Sequence, residues 1–330
     1  MVVVRNIPLW LCLISTLLAK SSALDAANWM RDNIGLLGER QMKQICIPGS
    51  HNSGMYTLNG GTAFVKKCNV LNQSQPVLKQ LQLGIRYLDM RPVISGGKFK
   101  AGHYTQVTNA LWLGGNGQFI DSIVKDINDF ITNSGELVIV YLSHGLNTDV
   151  GRKYRNFNKE EWNRLFQLLD ETNNLFESSE YVYLPEYTLG QLTANGTKGA
   201  VLYVVGDEEA SLGARKGKGF FYWGTLRVFD QYSGSNKYPT MFRDQISKMK
   251  LESEDNYFLL SWILTQNAID ATTCPLGRSI RKLAKEANSN IQKLLPEVSK
   301  TAFPNIIFVD FVESSEVTEV AIAINNKIVF

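Results

Sequence analysis

Three histidines are present in this chain, His51, His103 and His144, and each follows a run of residues that reads as a strand. Histidine titrates near neutrality and is the usual general acid or base. His51 lies in "ICIPGSHNSGM" (45–55), where a short β-prone run breaks at the turn residues Pro-Gly-Ser. Asp89 and Arg91 end "YLDMR", His103 follows a short hairpin, His144 follows "VIVYLS", and Asp310 sits near the end of "NIIFVDF". Two imidazoles, an arginine and two carboxylates at one place suit phosphoryl transfer. One histidine takes a proton from a nucleophile, the other gives one to the leaving oxygen, and the arginine steadies the charge on phosphorus.

The elements that must bring these residues together follow from periodicity. Strand-like runs are "QICI" (44–47), "YLDMR" (87–91), "ELVIVYL" (136–142), "AVLYVV" (200–205), "FFYW" (220–223), "YFLLSWIL" (257–264) and "NIIFVDF" (305–311). Most are continuous β-branched and aromatic runs, as for strands buried on both faces of a parallel sheet. Between them "QFIDSIVKDINDFITNSG", "NKEEWNRLFQLLD" and "LGRSIRKLAKEANSNIQKLLPE" have helical spacing. Gly96-Gly97 between β-prone flanks predicts a hairpin. Repeated β-then-α units fit a (β/α) barrel or an open doubly wound sheet, and no GxGxxG follows the first strand. The expectation is an α/β fold, a single (β/α)8 TIM-type barrel over residues 24–330, with its site at the C-terminal ends of the strands.

The first 23 residues are excluded from that fold. Arg5, an apolar core from Ile7 to Ala19 and the small residues Ser21-Ser22-Ala23 have the layout of a secretory signal peptide cleaved before Leu24. The expected mature protein is secreted, extracellular and monomeric. A 44% apolar composition supports a proper core, and a formal charge of +3 gives no argument for a nucleic-acid partner. The sequons at Asn72 and Asn195 mark glycosylation candidates. Of the cysteines left after cleavage, Cys46 reads as a buried free thiol, and Cys68 and Cys274, both in loops, are the expected disulfide. No CxxC or Cys/His cluster supports zinc.

At this point the chain resembles the phosphatidylinositol-specific phospholipase C X-domain proteins. "PGSHNSG" is similar to their first motif, "LGIRYLDMRP" to the second, "AGHYT" to the segment of the second catalytic histidine, "ELVIVYLSHG" to the next strand and "NIIFVDFVE" to the last, over about residues 40–313. The resemblance implies that His51 is the base for the inositol 2-hydroxyl, held by Asp310, and that His103 is the acid for the glycerol oxygen. It implies that Arg91 neutralises the phosphate where another branch uses calcium, with Asp89 beside it. Asn52 stands where bacterial relatives carry Asp, and so supplies no negative charge to His103. Arg91 and Ser143 stand at two calcium-ligand positions, and an arginine inside the shell opposes a cation. No cofactor and no calcium requirement is therefore expected. "LSH" (142–144) is similar to the X-domain-containing branch.

Several residues keep two readings. His144 is a polar strand end or, with Ser143, a substrate contact. Asp89 and Arg91 are site residues or an ion pair closing a strand. Asp230 and Tyr232 in "VFDQYSGSN" bind head-group hydroxyls or form a turn. Trp112 in "ALWLGGNG" enters a membrane interface or packs against a helix. For the whole chain, one expectation is a phosphoric diester hydrolase acting on a phosphoinositol lipid or glycolipid anchor at a membrane surface. The other is a binding protein for inositol phosphate or glycan. A glycerophosphodiesterase lacks support, because its His-Arg-Gly opening and metal carboxylates are missing.

Overall fold

The computed structural model describes residues 25–330 apart from 64, 109–110, 152, 179–182 and 275. The signal peptide expected over residues 1–23 lies outside the described residues. Among the described residues thirteen strands occur in chain order. They are β1 (Ile47–Ser50), β2 (Tyr87–Met90), β3 (Pro92–Ser95), β4 (Lys98–Thr108), β5 (Leu111–Phe119), β6 (Leu137–Leu142) and β7 (Leu146–Asn147), then β8 (Arg155–Asn156), β9 (Ala200–Val205), β10 (Phe220–Tyr222), β11 (Val228–Asp230), β12 (Tyr257–Ser261) and β13 (Ile306–Val309).

Eight of them form a curled, all-parallel sheet in the order β10-β9-β6-β2-β1-β13-β12-β11. The expected α/β architecture and strand count are present; among the described residues no ladder joins β10 to β11, so closure of the expected barrel is not shown. A single 3-10 turn, Trp223–Thr225, and no α-helix lies between those two strands in the chain. A second, five-stranded sheet, β5-β4-β3-β7-β8, is built on the Gly96-Gly97 hairpin and stands over one side of the mouth. Trp112 therefore lies in strand β5 of an antiparallel hairpin.

Each central strand buries both faces, and period-2 alternation sorts them. Ile47, Tyr87, Leu137, Ile139, Leu202, Val204, Leu259, Ile306 and Phe308 join one apolar cluster inside the curl. Leu88, Met90, Val138, Val140, Val201, Tyr203, Leu260, Ile307 and Val309 join the other, beneath the helices. The helix Ile120–Ile131 shows how the outer layer is made: Ile120, Ile123, Val124, Ile127 and Ile131 are its buried stripe. On the inner face of β1, a Cβ at position 49 would come within 3.0 Å of Ile306 and 3.2 Å of Tyr87, so a larger residue requires those side chains to give way.

At the strand N-termini Arg86 and Glu136 are fully buried. Arg86 Nη2 meets Glu136 Oε2 at 2.7 Å, and its other donors reach Glu136 and the carbonyls of Leu81, Ile85 and Ala27. Glu136 also accepts the N–H groups of Met30 and Arg31. The expected Cys68–Cys274 disulfide is formed with a Cα separation of 6.0 Å, and Cys46 is free and buried. Among the described residues no helix is long and apolar enough to cross a membrane.

Candidate active site

The inner-face alternation that fills the curl with apolar side chains turns polar at the strand ends. Ile47 and Gly49 are followed by His51, Tyr87 by Asp89 and Arg91, Ile306 and Phe308 by Asp310, Leu137 and Ile139 by Tyr141 and Ser143, and Val228 by Asp230. Strand geometry thus aims these side chains into one mouth. The chain leaves it under strain, because Asn52, His144 and Phe311 have φ of 43°, 54° and 50°. Such left-handed non-glycine residues cluster at functional sites.

His51 is held in one tautomer. Its Nδ1 lies 2.8 Å from Asp310 Oδ1, so the ring donates there, since a carboxylate only accepts. Its Nε2 faces two donors, Arg91 Nη2 and Asn52 Nδ2, each at 3.2 Å. Nε2 therefore carries the lone pair, the state a general base requires, an assignment that follows from the network. Arg91 Nη2 also reaches Asp89 Oδ2 at 3.2 Å, and Asp89 accepts the Asn52 N–H at 3.0 Å. Burial by itself raises the Asp89 carboxyl, but Arg91, then His51 and the Asn52 N–H outweigh it and hold Asp89 below the usual carboxylate range.

His103 stands in β4, with its ring centroid 6.3 Å from that of His51. Both imidazoles can therefore touch the oxygens of one phosphate. Its Nδ1 donates to the Val70 carbonyl at 3.0 Å, leaving Nε2 for a substrate. Burial first, then the charges of Arg91 and His51, lower its pKa to about 4. Asn52 turns its amide to His51 and to Asn72 Oδ1, so its hydrogen bonds run to the base rather than to His103.

Asn72 is corrected from glycosylation candidate to site residue. It is 1% exposed, donates to Asp310 Oδ1 at 2.9 Å and accepts from Asn52, so no glycan has access. Gln73 beside it donates to the His51 carbonyl at 2.9 Å and accepts the Val312 N–H at 3.1 Å. The available signal was the polar "LNQSQ" in the loop after the first strand, a loop that a barrel places at the mouth. Asn195 remains exposed in a turn.

The remaining candidates line the periphery. Tyr232 Oη lies 3.5 Å from Arg91 Nη2, and its ring is 5.9 Å from His51. Asp230 is half-buried with Oδ1 unpartnered, and burial, then the charge of Asp89, raise its pKa to about 6. A cavity of about 490 Å³ adjoins Arg91, and Ser143, His144, Trp112 and Asp207 are in its wall. His144 Nδ1 meets Ser143 Oγ at 2.7 Å. Trp112 is half-buried, its ring 6.5 Å from that of Tyr154. Among the described residues no three His, Cys, Asp or Glu side chains are gathered to hold a metal ion.

Comparisons with known proteins place the fold. The chain superposes on a phosphatidylinositol-specific phospholipase C of Listeria monocytogenes with a TM-score of 0.61 at 16% identity, covering 93% of this chain and 100% of that one. The corresponding protein of Staphylococcus aureus gives a TM-score of 0.60 at 18% identity, covering 91% of this chain and 97% of that one. A PI-PLC X-box domain-containing protein of Dictyostelium discoideum is 28% identical over 138 residues, 38% of this chain and 17% of that relative's length. The PI-PLC X 1 family model matches residues 37–325. A model match over nearly the whole described chain makes the protein a member of the PI-PLC X family.

Proposed function

We propose that the protein is a secreted, metal-independent phosphodiesterase that cleaves a phosphoinositol lipid or related glycolipid anchor at a membrane surface. One observation carries this reading: His51 is fixed by Asp310 with its basic nitrogen toward Arg91, one ring width from His103. A phosphodiester monoanion docks on Arg91. His51 Nε2 takes the proton of the head-group hydroxyl next to the phosphorus, and that oxygen attacks. The glycerol oxygen leaves with a proton from His103 Nε2, giving a cyclic phosphate and diacylglycerol. Burial is the first cause of the low His103 pKa; the docked anion offsets the second, the Arg91 charge, and so favours the imidazolium.

Asp230 and Tyr232 are assigned to the head-group hydroxyls, and Ser143 and His144 to the adjoining cavity wall. The exposed Val107, Leu111 and Leu113 beside Trp112 form an apolar hairpin tip suited to the lipid interface. The disulfide supports the extracellular assignment, and Asn195 is the remaining glycosylation candidate. The protein acts as a monomer in this reading. Turnover of phosphatidylinositol vesicles should be unchanged in EDTA, because Arg91 supplies the positive charge. Loss of turnover in EDTA with recovery on adding calcium would refute the metal-independent reading.

The low pKa of His103 favours a second reading, a binding protein for inositol phosphate. Binding of inositol phosphate without turnover of any phosphodiester would select it.

A further inference from the structure

We propose that the Cys68–Cys274 disulfide positions both site histidines, so that opening it uncouples them and switches the site off. The catalytic half of this inference rests on the phosphodiesterase reading above; the positioning half does not. Cys68 lies in a one-turn helix, Lys67–Val70, too short to hold its own shape. The next few residues grip the site in succession. The Val70 carbonyl takes the His103 Nδ1 proton. Asn72 donates to Asp310 and accepts from Asn52, and its carbonyl takes the Phe311 N–H at 2.7 Å. Gln73 binds the His51 carbonyl and the Val312 N–H.

The other end of the bridge is anchored in the loop after β12, two strands along the sheet from β1. Cys274 is buried directly after the helix Ala268–Thr273, in the segment that follows β12. That helix starts at a capping box of Asn267 and Asp270, and Asp270 also holds Asn236 at 2.7 Å, in the segment after β11. Two further contacts cross beside the bridge, Lys66 Nζ to the Cys274 carbonyl at 3.4 Å and Gln266 Nε2 to the Cys68 carbonyl at 3.5 Å. Both are at the long limit for hydrogen bonds. The covalent bond therefore ties the gripping segment to the loop after β12, beside the packing of Leu71 against Ile280 and Ala284. Cys68 is half-buried, which leaves the bridge within reach of a small reductant. A dithiol supplies two electrons and two protons, the S–S bond becomes two thiols, and the dithiol becomes its cyclic disulfide.

The test compares the bridged full chain with Cys68→Ser/Cys274→Ser, leaving Cys46 in place. kcat and KM are measured on phosphatidylinositol vesicles, the histidine ring resonances are followed over pH, and far-UV circular dichroism monitors the fold. With three histidines in the chain, each resonance can be assigned by single substitution. The groups facing His103 are Arg91, His51 and Asp310, and the backbone carbonyl of Val70. Opening the bridge should lower kcat at least about tenfold with KM nearly unchanged, since small misplacements of reacting groups cost that much. The His103 titration, at about 4 in the bridged protein, should move up toward the ordinary imidazole range, and the His51 resonances should shift. Unchanged kcat and unchanged histidine titrations with only a lower unfolding midpoint would overturn the proposal, leaving a structural staple. If the double variant does not fold, the bridged protein is reduced in place with dithiothreitol under native conditions and read in the same way. If the bridged protein turns over no phosphodiester, the phosphodiesterase reading falls, and the histidine resonances still decide the positioning.

Discussion

His51→Ala and His103→Ala should each lower turnover of phosphatidylinositol by ~10²-fold or more, the scale of a lost general base or acid. Their stability costs should differ. His103→Ala removes a half-buried ring with one carbonyl partner and should change stability little. His51→Ala leaves the buried Asp310 with one side-chain donor fewer, a loss of about 1–3 kcal/mol. Solvent exposure at a mouth predicts no such cost, and burial of His51 in the structure supplies it. A substrate whose leaving group needs no proton separates the roles. On a nitrophenyl phosphodiester of the same head group, His103→Ala should recover much of its activity, whereas His51→Ala should not. Normal turnover by both variants on the natural lipid would exclude the two-histidine mechanism.

Glu136→Leu should produce the largest loss of stability, about 3–5 kcal/mol, because it leaves the Arg86 guanidinium buried without its counter-charge. It also frees the buried Met30 N–H that Glu136 accepts. The double change Arg86→Met/Glu136→Leu removes both charges and should cost clearly less than Glu136→Leu. Chemical denaturation of the three proteins checks this. The pair lies at the opposite end of the strands from His51, so the folded fraction of Glu136→Leu should keep normal kcat. An unfolding free energy within about 1 kcal/mol of the unsubstituted protein would show that water reaches Arg86.

Long apolar runs made the sheet legible, because strands buried on both faces leave an uninterrupted hydrophobic signal in the sequence. β6, β9, β12 and β13 lie within their expected runs. β1 was displaced: Met42–Gln44 is a 3-10 turn, and the strand is Ile47–Ser50, through residues that look like a turn. Pro48 is tolerated because it lies near the strand's start, before the β1–β2 register begins at Gly49 and Tyr87. β11 was missed because three residues, Val228–Asp230, give too short a pattern, and it supplies the eighth strand. That no ladder joins β10 to β11 among the described residues has no local signal in the sequence.

The site was legible where chemistry is concentrated in single residues. His51, Asp89, Arg91, His103 and Asp310 converge as expected. Asn72 was hidden because a sequon reads as surface, and its role depends on a loop folding back onto His51, a contact that no local pattern encodes. The weak point of the acid was sought in Asn52, yet burial of His103 and the neighbouring Arg91 set it. Burial is a tertiary property, and the sequence around His103 does not reveal it.

The central claim is that the substrate's own hydroxyl, deprotonated by His51, displaces the lipid oxygen that His103 protonates. Following the reaction on phosphatidylinositol by ³¹P NMR in ¹⁸O-enriched water tests it most directly. The account predicts a cyclic phosphodiester as the first phosphorus product, carrying no solvent oxygen, with any phosphomonoester appearing only later. A monoester that appears first and already carries ¹⁸O would contradict it.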